Sequence, residues 1–332
     1  MKLITNLGGA DSPARTRAPE RGTFRVGAVQ TAWHRDAGEH RATLTAGVEL
    51  AARAGAQLVC LQELTLSPYF AIVPDGAEAL GVAAEPLPGG PTHAFAAELA
   101  ARFGLVVHAS LFEAAGEGER PPGDTVPAGG GGFNTAIAVG PDGELLARTR
   151  KLHIPVTAGY YEDRYFAPGD TGYPVVDVGP ARIGLPTCWD QWFPEPPRAY
   201  SLAGADLLVY PTAIGSEPDH PGFDTRPLWQ QVIVGNGIAN GLAMVAVNRI
   251  GTERAADLAA SGAAPDPPDT EITFYGSSFI SDPYGRILAQ APRDADAVLV
   301  ADVDLDAKRD WLELFPLLTT RRPDTYGPLT AQ

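Results

Sequence analysis

Short apolar runs of strand length alternate with helix-length segments along nearly all of this 332-residue chain, and a hairpin interrupts the alternation. That combination limits the fold more than any other feature. Residues 24–30 and 57–62 read as strands, the second apolar enough to be buried. Between them, residues 40–54 place Leu44, Val48 and Ala51 on one helical face. A helix over 92–103 leads to a strand over 105–112. Residues 134–139 and 144–150 then flank the turn Pro141-Asp142-Gly143 as a hairpin. The second half repeats this style, with strands at 174–178 and 182–187, a helix at 194–203 and a strand at 206–210. A helix over 227–240 precedes a strand at 243–248, and three further strands fall at 276–281, 286–290 and 297–303. Strand–helix alternation with hairpins implies mixed sheets, not a doubly wound parallel sheet. The expectation is a single α/β domain over 23–303, with two mixed sheets between helical layers.

The flanks and one insert stand apart from this pattern. Residues 1–22, dominated by Gly, Pro, Arg and Asp, are expected to form a flexible extension. Residues 304–332 have little periodicity and are expected to pack on a neighbouring subunit. The Gly/Pro/Glu-rich stretch 114–132 ends in four glycines and reads as a surface loop. Charge narrows the function: a net −15 disfavours nucleic acid and anionic membranes as partners. No apolar run approaches the roughly 20 residues of a membrane span, and residues 1–21 lack the apolar core of a secretory signal. Two cysteines exclude a disulfide framework and point to a reducing compartment, so a cytoplasmic protein is expected.

One of those cysteines carries the functional reading. Cys188 follows a short apolar strand and precedes a Pro-started helix, so its sulfur is expected at an exposed corner. A thiol reacts as thiolate and therefore needs a base or a positive field. Of the six histidines only His153 has a comparable setting, and no Asn or Asp orienter is evident for a Cys–His pair. Glu63 ends a buried strand and Lys151 ends the hairpin. Alone, Glu63 could cap a turn and Lys151 could be a solvated hairpin end. Together, a carboxylate, an ammonium and a thiol at three strand ends form a coherent site, in which the ammonium would stabilise an oxyanion. Cys60 lies inside an apolar strand and reads as core. Neither the 129–132 glycines nor Gly235, Gly237 and Gly241 follow a strand as a dinucleotide fingerprint requires, and no metal-ligand spacing is present.

Longer motifs carry a resemblance. The chain resembles the nitrilase superfamily of carbon–nitrogen hydrolases, whose Glu–Lys–Cys triad matches Glu63, Lys151 and Cys188. The segments Lys151-Leu152-His153-Ile154-Pro155, Gly159-Tyr160-Tyr161-Glu162 and Cys188-Trp189-Asp190-Gln191-Trp192-Phe193-Pro194-Glu195 are similar to the N-carbamoylputrescine amidohydrolase branch. So are Tyr210-Pro211-Thr212-Ala213-Ile214-Gly215-Ser216-Glu217-Pro218 and Ile272-Thr273-Phe274-Tyr275-Gly276. The resemblance runs from Phe24 to about Tyr326. It implies a four-layer αββα sandwich that forms homodimers or larger assemblies and works without a cofactor. The implied reaction is hydrolysis of a small carbamoyl amine or amide through a covalent cysteine intermediate, with N-carbamoylputrescine yielding putrescine, ammonia and carbon dioxide. Another N-carbamoyl amine, an N-carbamoyl amino acid, β-ureidopropionate or an aliphatic amide is the alternative substrate, and a non-catalytic scaffold the distant one.

Further roles follow from the same resemblance. Glu162 matches an auxiliary glutamate, with a structural ion pair as its other reading, and the backbone N–H of Trp189 is expected in the oxyanion hole. Asp190 and Glu195 read as architectural, Glu195 as the partner of Arg198 or another arginine. Glu217 is the first choice for the anion that meets a substrate ammonium, its other reading being a loop charge, and Tyr160 and Trp192 are expected to line the alkyl channel. The chain departs from relatives at Pro196-Pro197, in its longer 114–132 insert and at Phe133-Asn134-Thr135.

Overall fold

The strand-forming runs assemble into two sheets whose centres are built alike. The computed structural model describes residues 1–9, 11–74, 81–116, 119, 131–258 and 270–330. In the first half lie β1 (Lys2–Asn6), β2 (Thr23–Gln30), β3 (Leu58–Cys60), β4 (Val106–Glu113), β5 (Phe133–Val139) and β6 (Leu145–Arg150). In the second lie β7 (Val175–Val178), β8 (Ala181–Gly184), β9 (Leu207–Pro211), β10 (Ala243–Val247), β11 (Ile250–Arg254), β12 (Glu271–Tyr275), β13 (Phe279–Ser281), β14 (Ile287–Gln290) and β15 (Ala297–Asp304). The first sheet runs β1-β15-β2-β3-β4-β5-β6 and the second β14-β13-β10-β9-β8-β7. Each has a three-strand parallel centre, β2/β3/β4 and β8/β9/β10, flanked by antiparallel neighbours. Helices α1 (Ala37–Arg53), α2 (Pro91–Phe103), α3 (Glu195–Leu202) and α4 (Arg226–Asn240) make the crossovers that parallel pairing requires, and a short α5 (Ala255–Leu258) follows β11.

Side-chain alternation sets the layers. On β2, Val26 and Ala28 face the second sheet, where they meet Leu207, Val209 and Val245. Val29 points the other way, against Leu44 and Val48 of α1. Likewise Leu208 and Tyr210 of β9 point outward to Trp229 and Ile233 of α4. Strands covered on both faces must be apolar throughout, which is why their runs lack polar alternation. The result is the expected αββα sandwich in a single domain. Pro196 and Pro197 fall in the first turn of α3, where a missing N–H costs nothing, and the helix forms. Gly241 closes α4 with φ 64°, the left-handed position glycine favours.

Four expectations need correction. Residues 1–22 are not simply a loose extension: β1 pairs in parallel with β15 from Lys2↔Ala297 to Asn6↔Ala301. The Gly/Pro/Arg/Asp composition of the segment hid a five-residue strand at its start. The tail after 303 begins with helix α6 (Ala307–Leu314), where the indole of Trp311 donates to Ile238 O at 2.8 Å, so its first part packs on its own chain. The strand expected at 276–281 is shorter, β13 (Phe279–Ser281), and the chain before it forms β12, which pairs with β11 outside the sheet that β13 joins. Arg198, the arginine named first as a partner for Glu195, donates instead to Ala239 O at 3.0 Å. Most of the 114–132 insert lies outside the described residues. Among the described residues, no helix is long and apolar enough to cross a membrane.

Candidate active site

The carboxyl ends of the central strands converge, the place where layered α/β folds bind ligands. Glu63 follows β3 and is completely buried. The chain turns sharply after it, with Leu64 at φ 49°. A non-glycine residue there costs on the order of 1–3 kcal/mol and persists only where the surroundings enforce it. Arg249, just after β10 and itself fully buried, does so. Its guanidinium donates to Glu63 O at 2.6 Å and to Leu64 O and Ser67 O at 3.3 Å, and pairs with Glu253 at 2.7 Å. The two carboxylate oxygens of Glu63 differ. Oε1 accepts from Asn134 Nδ2 at 2.7 Å and Lys151 Nζ at 3.0 Å, whereas Oε2 is buried with no hydrogen-bond partner among the described residues.

Lys151 leaves β6 with its backbone N–H donated to Asn134 O at 2.8 Å. Its ammonium reaches Glu63 and also Glu162 Oε2, at 2.6 Å. Burial disfavours that charge, but Glu162 and Glu63 outweigh it and hold the lysine protonated, well above its ordinary range. Two of its three N–H groups are engaged, leaving one for a substrate oxygen. Glu162 opens a single 3₁₀ turn (Glu162–Arg164) and accepts from Tyr69 OH at 2.9 Å and Asn134 Nδ2 at 3.3 Å. Burial pushes its carboxyl up, and Lys151 works against that.

Cys188 starts a 3₁₀ turn (Cys188–Trp192) with φ 33°, a second enforced left-handed residue. Asp190 holds this turn. Its Oδ2 accepts Thr187 N at 3.0 Å, and its Oδ1 accepts both His153 N, at 2.9 Å, and His153 Nδ1, at 2.8 Å. The imidazole stacks on Phe193 with centroids 3.7 Å apart. His153 is thereby tied to Asp190. Cys188 is only 5% exposed, so the exposed corner expected from its setting is a buried one. Burial, then Glu63, pushes the thiol well above its ordinary value, against Lys151 and the N–H of Ala213. The resting sulfur is therefore a thiol, and needs a base.

Glu63, Lys151, Glu162 and Cys188 are brought together. The N–H of Trp189 lies in the first turn after the thiol, where helical N–H groups lack partners within the turn, and its indole meets Trp192 edge-on at 6.3 Å. Trp192 packs toward the α3/α4 layer with Tyr200 and Leu208. The Tyr160 hydroxyl donates to Ser216 O at 3.1 Å and accepts Gly215 N at 3.0 Å, which pins the loop carrying Glu217. Glu217, half-buried, opens into a cavity of about 480 Å³ lined also by Thr157, Asp219, His220, Phe223 and Thr225. Burial pushes its carboxyl up, and Thr225 and His220 pull it back. Tyr160 and Tyr275 are each within electrostatic reach of both Glu217 and Cys188.

Sequence reasoning overlooked Asn134, Tyr69, Ala213, Tyr275 and Arg249. Asn134 lies in a segment already marked as a departure, but neither it nor Tyr69 has a spacing that signals chemistry. Among the described residues, no group of three or more His, Cys, Asp or Glu is placed to hold a metal ion. A carboxylate, an ammonium and a thiol, all buried together, are the parts needed for acyl transfer through sulfur.

Comparison with known proteins identifies the family. The carbon-nitrogen hydrolase family model matches residues 25–312. The chain is 39% identical over 304 residues to an N-carbamoylputrescine amidase of Solanum lycopersicum, covering 92% of this chain and 94% of that one. It is 34% identical over 306 residues to a citrullinase of Francisella tularensis, covering 92% and 98%. A carbon-nitrogen hydrolase from Helicobacter pylori G27 superposes with TM-score 0.77 at 31% identity, over 93% of this chain and 99% of that one. Sequence, sheet order and these relatives agree that the chain belongs to the carbon–nitrogen hydrolase family.

Proposed function

We propose that this protein hydrolyses N-carbamoylputrescine to putrescine, ammonia and carbon dioxide through a covalent intermediate on Cys188. The observation that carries the substrate is the Glu217 cavity. It presents carboxylates at Glu217 and Asp219, and no lysine or arginine among its lining residues. An alkyl ammonium is favoured there, whereas the α-carboxylate of citrulline or an N-carbamoyl amino acid would meet like charge and no guanidinium. The tomato relative is named for this substrate and supports the choice.

In the proposed reaction the Cys188 thiol gives its proton to Glu63 Oε2 as sulfur bonds the carbamoyl carbon. The remaining N–H of Lys151 and the backbone N–H of Trp189 meet the developing oxyanion; losing one such donor raises a barrier by about 3–4 kcal/mol. Collapse breaks the C–N bond, with the proton on Glu63 passing to the departing ammonia. Water, deprotonated by Glu63, then attacks the thioester-like carbonyl, sulfur leaves as thiol, and the released carbamate decomposes to putrescine and carbon dioxide. Glu162 holds Lys151 in place throughout, and the ring of Tyr160 borders the route of the alkyl chain, whereas Trp192, expected there, packs on the α3/α4 layer. The proposal includes assembly as a homodimer or larger, with exposed Leu202, Leu314 and Phe315 and the last part of the tail as contact surface. It also includes a cytoplasmic setting, supported by two free cysteines.

Ammonia release from N-carbamoylputrescine, citrulline, N-carbamoyl amino acids and simple amides tests the reading. The putrescine derivative is expected to lead, and citrulline turning over as fast would overturn it. Glu217→Gln is expected to raise KM for N-carbamoylputrescine roughly tenfold, in the range of a partly exposed charge-assisted bond, and to leave a neutral carbamoyl amine unaffected. Equal effects on both would remove Glu217 from the pocket.

A further inference from the structure

We infer that Asn134 is a positioning residue for the base: its amide holds one oxygen of Glu63 so that the other is free to take a proton. The inference rests on the proposed role of Glu63 as that base. Asn134, on β5, is completely buried and cannot itself exchange a proton. Its Nδ2 donates to Glu63 Oε1 at 2.7 Å and Glu162 Oε2 at 3.3 Å, and Ser110 Oγ donates to its Oδ1 at 3.4 Å. The amide has one workable orientation, since the reverse would aim Oδ1 at two carboxylates. Its backbone carbonyl also accepts Lys151 N at 2.8 Å, so one residue sets the carboxylate and the strand end that bears the ammonium.

The consequence is an asymmetry in Glu63. With Oε1 holding two donors, the carboxylate cannot turn to share both oxygens with Lys151. Oε2 remains buried and unpartnered, a condition that costs free energy unless a ligand or reacting group completes it. The charged or titratable groups facing Glu63 are Lys151, Glu162, Cys188 and Tyr69, with Arg249 at its backbone carbonyl. Asn134 is the neutral donor among them, and it favours the ionised carboxylate without adding charge.

Two substitutions separate positioning from space filling. Asn134→Asp keeps the shape but puts a third carboxylate against Glu63 and Glu162, whereas Asn134→Ala removes the donor and leaves a gap. A space-filling role makes Asn134→Asp the milder change; positioning makes it the more damaging. Asn134→Ala is expected to lower kcat on the order of tenfold to a hundredfold, the range of one charge-assisted hydrogen bond, with KM little changed. It is also expected to move the acid limb of kcat/KM to higher pH, because the ionised carboxylate has lost a donor. Iodoacetamide alkylation of Cys188 against pH reads the same base without substrate, so a wrong substrate assignment leaves the test intact. If Asn134→Asp does not fold, the acid limb of Asn134→Ala decides alone. An unmoved acid limb in Asn134→Ala, or an Asn134→Asp enzyme faster than Asn134→Ala, would overturn the proposal.

Discussion

A buried ammonium between two buried carboxylates is held by mutual dependence. Lys151 Nζ has both Glu63 and Glu162 within 3.0 Å, and none of the three side chains is more than 1% exposed. Removing one member of such a group leaves an uncompensated buried charge, at about 3–5 kcal/mol. Lys151→Met should therefore abolish ammonia release and also lower the melting temperature. Cys188→Ala removes the nucleophile but no charge, so it should abolish turnover while melting close to wild type. A Lys151→Met protein as stable as Cys188→Ala would mean that the three groups are not coupled in this way. Glu63, Lys151 and Cys188 were legible in the sequence because each follows an expected strand, and strand ends are where such a fold gathers its chemistry. Glu162 was legible only through the family resemblance. Asn134 and Tyr69 were not. Asn134 meets Glu63 across 71 positions of chain, and Tyr69 meets Glu162 across 93, so their roles exist only once β5 and the 69–72 turn are packed.

The turn that carries Cys188 depends on one side chain joining two elements. Asp190 ties the residue before the thiol to His153, two positions after Lys151, and so fixes the end of β8 relative to the end of β6. An asparagine could accept at one oxygen only, leaving either Thr187 N or the His153 pair facing an NH2 group. Hydrogen bonds to a charged acceptor are worth about 1.5–3 kcal/mol, so Asp190→Asn should lower kcat roughly 10- to 100-fold and slow iodoacetamide labelling of Cys188. Unchanged labelling alongside a lowered melting temperature would confine Asp190 to stability. At this scale the strands and helices buried on both sides were readable from apolar runs alone. Elements escaped where neighbouring composition or pairing overrode the local pattern. β1 sits in front of a Gly/Pro-rich strap, and α6 has only two buried residues, Ala307 and Asp310. β11 and β12 pair with each other outside either sheet, an arrangement that no periodicity announces.

Across the molecule, the N-terminal segment closes the sandwich by a set of carboxylate ties. Gly8 N donates to Asp302 at 2.8 Å, and Arg15 Nε to Asp310 at 2.9 Å. The N–H groups of Glu20, Arg21 and Gly22 all converge on Asp306 Oδ2, at 2.9, 2.8 and 3.3 Å. Arg21 then clasps Asp206 of the second sheet through two bonds of 2.7 Å. Asp302 is held below its ordinary value of 3.8, chiefly by Arg25. Burial works against the same lowering in Asp306 and Asp310, but is outweighed by the strap N–H groups at the first and by Arg309, Ser12 and Arg15 at the second. A carboxyl lowered by folding stabilises the native state above its unfolded value and loses that contribution as pH falls through its folded value. A chain lacking residues 1–21 should melt below the full chain at pH 7, since it loses both the β1 pairing and the ties to Asp306 and Asp310. As pH falls below 3.8 the gap should narrow, because the full chain loses the strap's ties to Asp306 and Asp310 in addition to the Arg25 and Arg309 pairs that both chains share. Part of the gap should persist, as the β1–β15 backbone bonds do not titrate. Melting temperatures of the two proteins from pH 7 to pH 3 read this directly. A gap that stays constant across that range would assign the strap's contribution to strand pairing alone.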